Sequence, residues 1–294
     1  MPKTPFDTVK VAGAPYSTAI MVGSTLYVSG QVPLDGKTGK VIWRFNTVPQ
    51  DAKDEGWDVA GPTWVGGERN GGGIWETPAI DPDLGLLYVA VANPFGDSTK
   101  RAGSNLFTDS IIALTLDGGH LKWYYQQTHH DVWDYDSGAP PTLFDMRVNG
   151  RTVKAVAEAS KNGYLYILDR ETGKPVHPVK EMPVPTDGAG PGQTPYPTQP
   201  IPFTASGKPM EPVCPVVAID VPPEQLAKFS VAPSFSPMRP DRIIAPGANG
   251  GANYSPLSYS PQTGLLYVAA IDFPYNIGRG AKGYFSAYDP TTGE

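Results

Sequence analysis

The chain predicts an all-β fold, a radial array of four-stranded antiparallel blades, on three observations. Glycine and proline stand at 33 each, while charged residues make up 18% and aromatics 11%, the balance of short strands joined by turns. Apolar runs recur without a sustained 3.6-residue period. Short segments also repeat along the chain, as arrays of like units do. With 294 residues and 40% hydrophobic content, there is enough apolar surface for a sizeable core.

In chain order, the spacing predicts strands at 25–28, 40–45, 86–91, 110–114, 121–125, 153–157, 164–168, 265–269 and 284–288, each closed by Gly, Pro, Asp or Asn turns. One repeat pairs residues 81–90 (DPDLGLLYVA) with 260–269 (SPQTGLLYVA). A second runs from Asp35 through Gly39 to Trp43, from Thr115 through Gly119 to Trp123, and from Asp169 through Gly173 to His177, and begins again at Asp289 and Gly293. Each unit reads as strand, tight Asx/Gly turn and strand, closed by an aromatic ring that can wedge against a neighbouring unit. The last unit has its turn glycine but no second strand, so a truncated chain is expected. Residues 177–213 are proline-rich and predict an extended excursion over the array rather than a linker, because strand units lie on both sides.

Charge and cysteine content narrow the chemistry. A net charge of -6 with scattered Lys and Arg disfavours nucleic acid and anionic membranes, leaving small molecules as the expected partners. The single cysteine, Cys214, excludes an internal disulfide or a cysteine metal site, and reads as a packed thiol. No apolar run approaches the ~20 residues of a membrane span, and no signal peptide is visible at the N-terminus.

The densest chemistry lies in 127–136 (QTHHDVWDYD), which sets three carboxylates, two imidazoles and an indole just after a predicted strand. Alone, any one of these acids is an ordinary solvated turn residue. Asn93-Pro94 alone is an ordinary turn, and Trp75 alone a core aromatic. Their order changes that reading.

The tryptophan-closed repeats, with 70–75 (NGGGIW), 91–94 (VANP), 128–134 (THHDVWD), 160–164 (SKNGY) and 250–254 (GGANY), resemble the pyrroloquinoline quinone (PQQ) dehydrogenases, eight-bladed propellers that oxidise alcohols. The resemblance covers about residues 36–294. It implies Trp75 as the floor on which the quinone stacks, with Gly73 and Asn253 as further cofactor contacts. Asn93 and Asp134 are implied as ligands of Ca2+, and Asp134 as the general base. Lys161 is implied as the cation that supports the quinone oxygens, while His130 and Asp131 brace the loop. Asp136, an acid two positions on, is suggestive of a lanthanide in place of calcium. Further implications are a small alcohol or sugar substrate, a cytochrome c or membrane quinone as electron acceptor, a homodimer, and a periplasmic location. The family's adjacent cysteines are missing, and 29–33 (SGQVP) stands where its calcium-ligating glutamate segment is expected.

Two other readings stay open. Residues 1–35 form an atypical N-terminal segment, a shortened blade or a start resembling the RidA imine deaminases. The alternative function is a non-catalytic propeller scaffold, although a scaffold has no reason to combine Trp75, Asn93, Asp134 and Lys161.

Overall fold

The computed structural model describes residues 40–148, 150–214, 223–275 and 282–294, together with the backbone of three short N-terminal strands. Those strands, β1 (Thr4–Pro5), β2 (Ala19–Val22) and β3 (Thr25–Val28), form an antiparallel sheet. The other residues of 1–35, including the expected position of the missing glutamate, lie outside the described residues.

A four-stranded meander follows: β4 (Ala79–Asp81), β5 (Leu86–Val91), β6 (Ser110–Thr115) and β7 (Leu121–Gln126). β8 (Thr142–Val148), β9 (Arg151–Ala159) and β10 (Leu165–Asp169) form a three-stranded antiparallel sheet. So do β15 (Ser258–Ser260), β16 (Leu265–Asp272) and β17 (Lys282–Tyr288). Between these lie an antiparallel hairpin, β11 (Val179–Pro183) with β12 (Thr198–Pro202), and a parallel pair, β13 (Ser230–Ala232) with β14 (Arg242–Ile244). The fold is therefore all-β and mostly antiparallel. Four strands are present in one sheet among the described residues, so the uniform four-stranded blade of the sequence reading is not reproduced.

Both faces of the inner sheets are buried, which explains why β5 reads LLYVAV rather than alternating. Leu86 and Tyr88 point one way, with Ile111, Ala113 and Trp123, onto Val156 and Leu168 of the next sheet. Val89 and Val91 point the other way and pack with Ile112, Leu114, Trp43 and Phe107. The far side of the β8–β10 sheet packs Phe144, Ala157 and Ile167 against Leu266 and Val268 of β16. The sheets are thus stacked layers sharing apolar interfaces.

The repeated aromatics fasten the layers. Trp43 donates its indole N–H to Leu116 O (3.1 Å) and lies against Gly119; Trp123 donates to Arg170 O (3.1 Å) and lies against Gly173; His177 Nε2 is 2.7 Å from Pro290 O, and its ring lies against Gly293. In every case the accepting carbonyl is three residues before the turn glycine. The turn itself is also repeated, the glycine N–H bonding back to the residue four earlier: Gly119 to Thr115 O, Gly173 to Asp169 O and Gly293 to Asp289 O. Glycine is favoured there because φ is near +70°, and at Gly119 and Gly173 a Cβ would also enter the docked ring.

Two expectations change. Residues 40–45 do not form a strand; the segment carries one bridge residue, Val41, and is held by the docking of Trp43. The proline-rich excursion contains the regular hairpin β11–β12, because its prolines alternate with residues whose N–H groups can still pair.

Candidate active site

The end of β5, the start of β6 and the end of β7 are paired, Val91 with Ser110 and Ser110 with Gln126. This brings the loops that follow β5 and β7 to one edge. Segment 70–73 runs beside 92–95, with Gly72 N–H donating to Asn93 O (2.9 Å) and Ala92 N–H to Gly73 O (2.8 Å). Gly71, at φ 96°, permits this approach, since a Cβ there would strike Asn93 O and Phe95 N.

The loop after β7 is braced as expected. Asp131 accepts the backbone N–H groups of Trp133 (2.7 Å) and Tyr135 (2.6 Å), and His130 Nδ1 lies 2.9 Å from Gly103 O. Trp133 and Tyr135 are fully buried anchors, stacked on each other and edge-on to Phe235; the Trp133 indole donates to Ser236 O (2.8 Å) and the Tyr135 hydroxyl to Pro246 O (2.6 Å). The hairpin clamps the same loop, because the Gln199 side chain pairs with both His129 N and His129 O, each at 2.8 Å.

This bracing turns Asp134 outward at φ 67° and Asp136 inward. Asp136 accepts Asn93 N–H at 2.7 Å on Oδ1 and the Lys161 ammonium on Oδ2. Lys161 also lies 3.5 Å from Asp134 Oδ2, whose side chain is 46% exposed against 8% for the lysine. The Lys161 Nζ is 5.6 Å from the centroid of the Trp75 ring, which is 40% exposed. Trp75, Asn93, Asp134 and Lys161 therefore converge. Asn253, in the loop before β15, is half-buried next to Ala252, whose N–H reaches Ser160 O (3.3 Å), so it reaches the same edge. Gly73 contributes backbone only, and a Cβ there would meet open space.

Electrostatically the edge is acid-rich. Burial and Asp136 push the Asp134 carboxyl up to about 6 against the pull of Lys161. Burial opposes the Lys161 charge, but Asp136, Asp134 and Asp131 outweigh it and hold the ammonium above its usual pKa. Beneath the cluster lie acids that the sequence reading missed. Glu76 is buried behind Trp75, with Oε1 lacking a partner among the described residues, and is pushed up to about 7 by burial and then Asp136. Glu158, fully buried, accepts from Gln127 Nε2 and from Ala139 N (3.1 Å), and burial raises it to about 8. Asp109 is fully buried with neither carboxylate oxygen paired among the described residues, and burial holds it far above the ordinary range. Glu76 directly follows the exposed Trp75 in an extended stretch, and that alternation is the sequence signal for an inward acid.

Among the described residues, no three His, Cys, Asp or Glu side chains are grouped to hold a metal. Asn93 and Asp134 offer oxygen donors of the kind a hard cation selects, but fewer than the 6–8 that calcium takes. A flat ring fits better, since a half-exposed indole with a buried cation at its rim is a stacking surface with an electrostatic edge.

A sequence-family model described as the PQQ glucose/ethanol/alcohol dehydrogenase β-propeller domain matches residues 17–294. The chain belongs to this PQQ β-propeller family. The match begins inside the atypical segment 1–35, and nothing in these comparisons supports the RidA-like start. The quinohemoprotein alcohol dehydrogenase of Comamonas testosteroni is 31% identical over 271 residues, 87% of this chain and 33% of that protein. The glycerol dehydrogenase large subunit of Gluconobacter thailandicus is 34% identical over 79% of this chain and 32% of its own length. The chain thus spans about a third of the length of these curated relatives. Among solved structures, the quinohemoprotein alcohol dehydrogenase ADHIIG of Pseudomonas putida HK5 superposes with a TM-score of 0.62 at 26% identity, over 93% of this chain and 44% of that one. The Comamonas testosteroni enzyme superposes at 0.61, with 26% identity, over 88% and 40%. No helix among the described residues is long and apolar enough to cross a membrane.

Proposed function

We propose that this chain forms the quinone-bearing part of an eight-bladed, PQQ-dependent dehydrogenase that oxidises the hydroxyl of a small alcohol or sugar. The observation that carries this reading is the placement of the Lys161 ammonium, tied to Asp136 and 3.5 Å from Asp134, at 5.6 Å from the centroid of the half-exposed Trp75 ring. PQQ, when bound, supplies the two-electron acceptor that no side chain can provide.

The residues divide the rest of the work. Trp75 offers a face for stacking, with Gly73 and Asn253 beside it. Asp134, half-exposed and turned out by its left-handed backbone, is the group able to take the substrate hydroxyl proton. Lys161 places a fixed positive charge where negative charge develops on the acceptor oxygens, in a site whose burial strengthens the effect. Asn93 and Asp134 would hold the metal. Both Asp136 oxygens are engaged, by Asn93 N–H and by Lys161, which favours Ca2+ over a lanthanide that would need that acid as a ligand. A cytochrome c or membrane quinone would accept the electrons, in the periplasm; the haem in the name of the Comamonas testosteroni quinohemoprotein supports the acceptor.

The test is reconstitution with PQQ and Ca2+, followed by dye-linked oxidation of primary alcohols and glycerol. Asp134→Asn is expected to abolish turnover while leaving quinone bound. Undiminished turnover in that variant would remove Asp134 from the mechanism.

A further inference from the structure

The geometry points to Tyr254 as the second leaf of an aromatic clamp that, with Trp75, grips a flat conjugated ligand. This rests on reading the site as a quinone site, but names a residue and a mode of binding beyond it. The Tyr254 ring is 69% exposed, yet it lies nearly parallel to the Trp75 ring, at 16° and 5.8 Å between centroids. Its backbone has φ 65°, a left-handed conformation that bulky L residues rarely adopt.

That conformation is held from below. Tyr254 N–H donates to Gly138 O (2.8 Å), and a Cβ on Gly138 would lie 3.4 Å from Lys161 Cγ and 3.5 Å from Trp75 Cη2, so the anchor is where floor and cation meet. Gly251 packs against the Lys161 carbonyl and pairs with Ile271, which fixes the loop that carries Tyr254. The backbone is therefore pinned while the ring is open to solvent.

A third ring between two parallel faces needs about twice the ~3.5 Å contact distance, roughly 7 Å in all. At 5.8 Å between centroids and 16° between planes, the rings form an offset stack with no room for a third between them. A ligand entering between them requires the exposed Tyr254 ring to swing away by roughly one ring thickness, about 3.5 Å, a rotamer change that the pinned backbone allows. Tyr254 thus closes on Trp75 without ligand and opens to sandwich one.

The experiment titrates the full chain, in Ca2+, with PQQ and separately with phenanthrenequinone sulfonate, a planar anionic tricycle, following tryptophan fluorescence. Tyr254→Phe keeps the ring; Tyr254→Asn removes it and tolerates the left-handed backbone, so folding is not at issue. Binding by Tyr254→Phe is expected within about twofold of the parent chain, and by Tyr254→Asn about tenfold weaker. Equal affinity in Tyr254→Asn overturns the clamp, as does a parent chain that binds neither compound. Ring-dependent binding of the tricycle without binding of PQQ upholds the clamp and sinks the assignment of PQQ to the site instead.

Discussion

Lys161 is bonded to Asp136 and reaches Asp134 at 3.5 Å, although Asp134 is the acid that the sequence pairs with catalysis. The side chains of Lys161 and Asp136 are 8% and 4% exposed, so this is a buried ion pair, completed by Asn93 N–H on the other carboxylate oxygen. Asp136 sets the position of the cation and ties the β5 loop to the β7 loop; Asp134 stays half-exposed beside it.

Removing one partner of such a pair strands a buried charge. Asp136→Ala is therefore expected to destabilise the chain by about 3–5 kcal/mol, and Asp136→Asn by less, since an amide oxygen can still accept. Urea unfolding at neutral pH measures both. A loss under about 1 kcal/mol in the alanine variant would mean that Asp134 takes over the lysine and that Asp136 is dispensable.

The docked aromatics make a separate prediction about the fold. Trp123 is buried, packs on Gly173 and donates to Arg170 O, so Trp123→Ala is expected to cost about 3–5 kcal/mol. Gly173→Ala is expected to destabilise as well, because a Cβ at φ 71° would lie 2.6 Å from the Trp123 ring. Midpoints of urea curves for the two single variants and the double variant decide the point. Additive losses would show that ring and glycine do not share one contact.

These interfaces were legible in the sequence, and much of the site was not. The repeated turn and closing aromatic place Trp43, Trp123 and His177 correctly, because docking needs only a ring and a glycine at fixed spacing. Trp75, Asn93, Asp134 and Lys161 are singled out by their order, and the fold brings them to one edge. The engagement of Asp136, the burial of Glu76 and Glu158 and the stacking of Tyr254 depend on how separate loops meet, which no local spacing encodes. Residues 40–45 misled for the opposite reason: the apolar pattern is that of a strand, but the segment's defining contact is one indole N–H to Leu116 O.

Glu158 gives the pH dependence. Its carboxyl is raised from 4.5 to about 8, so between those values the folded chain holds a proton that the unfolded chain has released. Stability must then fall as pH rises through that window, by on the order of 5 kcal/mol at full ionisation. Glu158→Gln is expected to flatten that slope between pH 5 and 8.5 in urea melts. An unchanged slope would assign the proton to another group, with Glu76, raised to about 7, the next to replace.

If Trp75 and Lys161 form a quinone site, equilibrium binding of PQQ depends on both side chains. Titration of the 294-residue chain in Ca2+, followed by tryptophan quenching and by co-elution of quinone absorbance, is expected to saturate at one equivalent. Trp75→Ala and Lys161→Ala should each weaken binding at least about tenfold. Saturable binding that both substitutions leave unchanged would show that neither Trp75 nor Lys161 holds the quinone.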